Sequence, residues 1–195
     1  MKKRIAIFAS GSGSNAQKIM EHFKKHAYAE VVLILSNNAE AYVLQRADNF
    51  EMPTHIFDKH EFYQTDDIVN LLKNLHIDMV VLAGFLWLIP PNLLQAFPDQ
   101  IINIHPALLP KFGGKGMYGD KVHQSVLESG EEESGITIHF VNDNFDEGEI
   151  IYQSRFRIEK EDDLEMLRFK VQQLEHQYYP KIIEQVIRKI KDSSY

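Results

Sequence analysis

Short apolar runs of strand length alternate with helix-patterned stretches through the first half of this chain, and that alternation leaves few folds open. Ile5-Ala6-Ile7-Phe8-Ala9, Val31-Val32-Leu33-Ile34-Leu35, Thr54-His55-Ile56-Phe57 and Asp78-Met79-Val80-Val81-Leu82-Ala83-Gly84 read as strands. Between them, Ile19, Met20 and Phe23 mark one helical stripe, residues 39–50 read as a helix, and Glu61 to Leu75 carries another stripe through Ile68, Leu71, Leu72 and Leu75. Apolar runs without alternation are buried on both sides. The expectation is therefore an α/β, Rossmann-like, open and mostly parallel sheet with helices on both faces. With no repeats and no linker-like stretch, residues 1–195 read as one domain.

The second half changes texture. In Ile101-Ile102-Asn103-Ile104-His105-Pro106, strand alternation puts Asn103 and His105 on one face and Ile102 and Ile104 on the other. Pro106 ends the strand near His105. An amide and an imidazole thus share a strand's carboxyl end, the edge at which open α/β sheets bind ligands. The plainer alternative is a satisfied core Asn beside a surface His. Lys111 to Gly119 contains four glycines and reads as a mobile loop. Residues 120–128 read as a helix, Ile136 to Val141 as a strand with Thr137 and His139 on its polar face, and Glu149 to Arg157 as a further strand. From Asp162 to Lys191 the pattern is helical, with Ile182, Ile183, Val186, Ile187 and Ile190 as a packing stripe.

Composition narrows the functions. Against 21 basic residues stand 28 acidic ones, a formal charge of −7, which argues against a nucleic-acid surface. The absence of cysteine removes disulfides and thiolate metal sites and fits the cytoplasm. No apolar run approaches membrane-spanning length, so no membrane partner is expected. The oligomeric state is left open.

Gly11-Ser12-Gly13-Ser14-Asn15-Ala16 fits G-x-G-x-x-G/A between a strand and a helix, a turn whose backbone N–H groups can hold an anion. A dinucleotide fold also needs an acid ending the second strand, but Ser36-Asn37-Asn38 stands there. A phosphate site is kept; a nicotinamide cofactor is not. Asp143 to Glu149 fails as a calcium loop because Phe145 occupies a ligand position. Asp143, Glu147 and Glu149 read as solvated acids. His139 lacks the companion histidine spacing of a metal site, and no G-x-S-x-G elbow occurs.

Taken together, Ser10 to Asn15, Leu82-Ala83-Gly84-Phe85, Asn103-Ile104-His105-Pro106 with Leu108-Leu109-Pro110, His139-Phe140-Val141, Asp146-Glu147-Gly148 and Glu175-His176 closely resemble the folate-dependent phosphoribosylglycinamide formyltransferases. The resemblance spans nearly the whole chain. It implies formyl transfer from 10-formyltetrahydrofolate, as co-substrate, to the amine of 5′-phosphoribosylglycinamide in purine synthesis, without a metal. Asn103, His105 and Asp146 would be catalytic, with Asp146 raising the pKa of His105 so that a protonated ring meets the oxyanion. Gly13, Ser14 and Asn15 would hold the phosphate and Glu175 the amine end. Leu86, Trp87, Leu88 and Ile89, with Asn103, would line the folate site. The chain departs from the better-known bacterial pattern at Trp87 and His60, where arginines are usual, at Gln172, where some relatives have lysine, and in its longer Gly113–Asp120 loop. Methionyl-tRNA formyltransferase shares the fold and the Asn/His/Asp set, and formyltetrahydrofolate hydrolase uses the same donor with water as acceptor, but both normally carry further domains. A non-catalytic phosphate-sensing module would not need Asn103, His105 and Asp146 together.

Overall fold

The computed structural model describes residues 1–190. Within these residues seven strands form one sheet: β1 Lys3–Phe8, β2 Ala29–Ser36, β3 Thr54–Ile56, β4 Met79–Leu82, β5 Ile101–His105, β6 Glu133–Phe140 and β7 Ile150–Arg157. Their order is β3-β2-β1-β4-β5-β6-β7. The first five run parallel, and β6 is antiparallel to both β5 and β7. Chain direction reverses its march at β1, so the carboxyl ends of β1, β4 and β5 open on a crevice at a topological switch point.

Among the described residues, seven helices cover the sheet: α1 Ser14–Phe23, α2 Tyr42–Asp48, α3 Lys59–Gln64, α4 Asp67–Asn74, α5 Pro91–Ala96, α6 Asp120–Glu128 and α7 Leu164–Ile187. Strand alternation divides the core. Ile5, Ile7, Ile102 and Ile104 face α1, α2 and α7, while Ala6, Phe8, Val80 and Ile101 face α3, α4 and α5. Burial on both faces explains why the parallel strands are apolar throughout.

Two sequence expectations are corrected, and one helix is added. The helix expected from Glu61 to Leu75 is two, because Thr65 Oγ1 donates to the Glu61 carbonyl (3.0 Å) and accepts the Asp67 N–H (3.2 Å), closing one helix and starting the next. The helix expected over 39–50 spans only Tyr42–Asp48, since Asn38 Oδ1 takes the Glu40 N–H in a turn (3.0 Å). Helix α5, with Pro91 in its first turn, had no counterpart in the sequence reading. On α7, Ile182, Ile183, Val186 and Ile187 are buried as the stripe requires; Lys191 lies outside the described residues. Tyr179, fully buried, ties α7 to the sheet by donating to the Leu82 carbonyl (2.9 Å).

Candidate active site

A cleft of about 720 Å³ lies over the carboxyl ends of β1, β4 and β5. Its lining includes Gly13, Ser14, Asn15, Leu86, Trp87, Leu88, Ile89, Asn103, His105, Asp146 and Glu175, so the fold brings every candidate residue to one cavity. His60 does not join them; it is exposed on α3.

At the centre, antiparallel pairing sets Asn103 opposite His139 and His105 opposite Thr137. Two polar faces that are separate in sequence thereby meet. Thr137 Oγ1 donates to the Ala107 carbonyl (2.7 Å) and accepts the Leu109 N–H (3.0 Å), and Gln153 Nε2 donates to the Leu109 carbonyl (2.9 Å). These bonds pin the turn after His105. His105 is only 3 % exposed, which rules out the surface-His alternative. Its Nε2 lies 2.8 Å from the Phe112 carbonyl oxygen, which can only accept, so Nε2 carries a proton. Its Nδ1 lies 3.4 Å from Asp146 Oδ2.

Asp146 sits at φ +58°, a left-handed conformation that Asp tolerates better than most residues. Gly113 allows the close approach of the facing loop: a Cβ there would stand 2.6 Å from Leu109 Cδ2 and 3.2 Å from Asp146 Cβ. Asp146 Oδ2 accepts the Gly114 N–H (3.1 Å), and Oδ1 lies 3.6 Å from His139 Nε2. Burial pushes this carboxyl up, but His139, His105 and the Gly114 N–H outweigh it and hold it below the usual range. Asp143, Glu147 and Glu149 are exposed.

His139 is a residue the sequence reading weighed only as a metal ligand. Its Nδ1 lies 2.8 Å from the Phe140 carbonyl, so in the neutral ring Nε2 is an acceptor, 3.3 Å from Asn103 Nδ2. It therefore orients the Asn103 amide. The signal available was its place beside Thr137 on the polar face of β6; its partner depended on strand register.

The expectation that Asp146 raises the His105 pKa needs correcting in its net result. Burial lowers the imidazole most, Asp146 and the Phe112 carbonyl pull it upward, His139 lowers it again, and the balance lies below the ordinary value. The resting ring is neutral at pH 7.

At the other end of the cleft, Gly13 caps α1 at φ +70°, and a Cβ would lie 2.5 Å from Val43 Cγ2 and 2.9 Å from Val43 Cα. Only glycine fits there. The N–H of Gln17 is the first in α1 to reach a carbonyl, that of Gly13, leaving Ser14, Asn15 and Ala16 with no intrahelical acceptor. The Asn15 side chain turns toward α7, where its Nδ2 donates to Glu175 Oε2 (2.9 Å). Burial raises Glu175 to about 7 against the opposing pull of Asn15. Gln172 Nε2 lies 3.4 Å from Ser14 Oγ.

Along the third wall, Leu86 is exposed, Leu88 gives its carbonyl to Tyr63 Oη (3.1 Å), and Trp87 stacks on Tyr63 and meets Phe57, Phe62 and Phe85. Ile89, 2 % exposed, belongs mainly to the core. Away from the cleft, His22, His26 and Glu184 form the one group of metal-ligand spacing among the described residues. His26 Nδ1 accepts the Tyr28 and Ala29 N–H groups (3.3 and 3.2 Å), so its Nε2 carries a proton toward Glu184 and the group is a hydrogen-bonded network.

Comparisons with known proteins identify the family. The formyl transferase family model matches residues 3–183. The chain belongs to the formyl transferase family. Among formyl transferases it is 43% identical to the chloroplastic phosphoribosylglycinamide formyltransferase of Arabidopsis thaliana over 188 residues, covering 93% of this chain and 64% of that protein. It is 35% identical to phosphoribosylglycinamide formyltransferase of Bacillus subtilis, covering 95% of both. The chain thus spans less than two thirds of the plant relative and nearly all of the bacterial one. The crystal structure of phosphoribosylglycinamide formyltransferase from Bacillus halodurans superposes with a TM-score of 0.87 at 37% identity, over 99% of this chain and 100% of that one. No helix among the described residues is long and apolar enough to cross a membrane.

Proposed function

We propose that this formyl transferase moves the formyl group of 10-formyltetrahydrofolate to the amine of 5′-phosphoribosylglycinamide, a step of purine synthesis. The observation that carries the reading is the meeting of Asn103, His105 and Asp146 at one strand edge, in a cleft that ends in an anion cradle. Relatives named for this reaction support it.

Attack of the amine on the formyl carbon forms a C–N bond and a tetrahedral oxyanion. The Asn103 amide, aimed by His139, donates to that oxygen. The neutral His105 presents the Nδ1 lone pair and accepts the proton released by the amine. Asp146 stabilises the imidazolium so formed, and the His105 Nδ1–H then donates to the oxyanion and passes its proton to the departing folate nitrogen. The C–N bond to folate breaks as that proton arrives. Burial thus sets His105 to act first as a base, and Asp146 makes the second role possible. The scheme calls on no metal.

In the same reading, the N–H groups at Gly13, Ser14 and Asn15 hold the phosphate, and Glu175 pairs with the amine end. Leu86, Trp87, Leu88 and Ile89, with Asn103, border the folate. The catalytic unit is residues 1–195 as one domain, acting on small molecules in the cytoplasm and on no nucleic acid. The test is a formyl-transfer assay with phosphoribosylglycinamide, initiator methionyl-tRNA and water as competing acceptors. Transfer to the first supports the reading; transfer only to tRNA or water overturns it. Fractionation tests the compartment, since plant relatives are named chloroplastic.

A further inference from the structure

His123 is a histidine for which the scheme above has no use. It sits on α6, is 5 % exposed, and lines the cleft. Its Nδ1 is buried with no hydrogen-bond partner, and no partner occupies Nε2 either. Because Nε2 is not among the fully buried unpartnered atoms, it is the nitrogen that reaches open space. A buried ring with two unused nitrogens costs stability unless something meets it. What could meet it follows from its place. Arg168, Gln172 and Glu175 fall three and four residues apart along one face of α7. Arg168 pairs with Asp120 at the start of α6 (2.6 Å), Gln172 reaches Ser14, and Glu175 reaches Asn15. His123 thus lines the cleft from α6, the helix that Arg168 ties to the same face of α7.

We infer that His123 is a further substrate-binding residue, whose Nε2–H donates to an oxygen of the phosphoribosyl group. This rests on the proposed acceptor. Gly11 to Asn15, Gln172 and Glu175 include no lysine or arginine, and the guanidinium beside them, Arg46, is engaged by the Ser12 carbonyl and Gln17; Lys115, on the glycine-rich loop, is the one lysine lining the cleft, so neutral donors have a large share in holding the anion. His123 suits that task. Burial lowers its pKa most, Asp120 raises it, and Arg168 and His105 lower it, so the free ring is neutral and offers a single N–H. Contact with a phosphate anion would favour the protonated ring and raise that pKa on binding.

The test begins with wild-type enzyme, which must formylate phosphoribosylglycinamide; if it does not, the proposed function fails and the histidine is not at issue. Given activity, His123→Ala should raise KM for phosphoribosylglycinamide by about tenfold or more, the size for a donor to a charged acceptor. KM for the folate and kcat should change far less. His123→Gln, whose amide can place an N–H near the same point, should recover most of the loss. In parallel, histidine NMR of wild type should show the His123 resonance titrating at higher pH with ribose 5-phosphate present, a readout independent of whether the variants fold. An unmoved titration under saturating ribose 5-phosphate, or equal losses for both substrates in His123→Ala, would overturn the assignment.

Discussion

Asp146 and Glu175 are carboxylates of the same cleft, and their surroundings drive them in opposite directions. Asp146 is met by two imidazoles and a backbone N–H and stays ionised. Glu175 has one neutral donor, Asn15, and burial lifts it to about 7. The neighbours decide the difference, because both groups lose hydration: two ionisable rings and a backbone N–H surround Asp146, and a single amide meets Glu175. A permanently charged carboxylate suits the group that must stabilise an imidazolium each turnover. A carboxyl poised near neutrality suits the one that meets an amine only when substrate arrives.

The largest effect is expected from neutralising the charged member. Asp146→Asn keeps the shape and tolerates the left-handed backbone at φ +58°. It should lower kcat by on the order of 10² or more, with much less change in KM, because the imidazolium forms during reaction. His105 should titrate still lower. The exposed acids serve as controls: Asp143→Asn, Glu147→Gln and Glu149→Gln should be mild. If one of them matches Asp146→Asn, the charged carboxylate has been misplaced; if Asp146→Asn is nearly as active as wild type, the proton scheme fails. Asn103→Ala should also lower kcat while leaving the His105 titration nearly in place.

Next in size is Gly13→Val. The new side chain would need a positive φ and would overlap the backbone of Val43. Phosphoribosylglycinamide affinity should fall by at least about tenfold, and thermal stability should drop, since core overpacking alone costs about 1–3 kcal/mol. Folate affinity, measured by binding, should hold. Equal loss of both ligands would separate Gly13 from the phosphate and reduce its role to folding.

Why the two carboxylates differ was only partly legible beforehand. Runs such as Ile5–Ala9 and the Asn103/His105 alternation record local periodicity, and both survive in the fold. The proximity of Asp146 to His105 entered through resemblance, since 41 residues separate them. The tie between Asn15 and Glu175 spans 160 residues and leaves no local signal. His139 acquired its function only when β5 and β6 paired in register. The net pKa of His105 depends on what covers the ring, a packing property that no spacing encodes. The split at Thr65 is different: its side-chain chemistry was present locally and was overridden in the reading by the apolar stripe on either side.

Glu175→Gln should raise KM for phosphoribosylglycinamide by about tenfold through loss of an ion pair, with a smaller effect on kcat. The pH dependence carries the sign. The folded carboxyl holds its proton up to about 7, whereas the unfolded chain releases it near the ordinary glutamate value of 4.5. Between those values the folded state binds more protons, so wild-type stability falls as pH rises through the window. Glu175→Gln should flatten that decline in a series of thermal melts. An unchanged slope would mean that Glu175 is already ionised, and the contrast with Asp146 would dissolve.

The smallest effect tests the cause of that contrast. Asn15→Ala removes the one hydrogen bond that lowers Glu175, so its pKa should climb further above about 7. Substrate binding needs the ionised form; the pH at which KM improves should therefore move upward. At pH 7 the loss should be a few-fold, the range for a single hydrogen bond. At higher pH it should shrink, since Glu175 ionises regardless and the backbone N–H of residue 15 remains. A double variant with Glu175→Gln decides between two routes. If Asn15 acts through Glu175, the second substitution adds little to Glu175→Gln alone. If the losses multiply, Asn15 touches the substrate by its own side chain, and the difference between the carboxylates owes more to burial than to their donors.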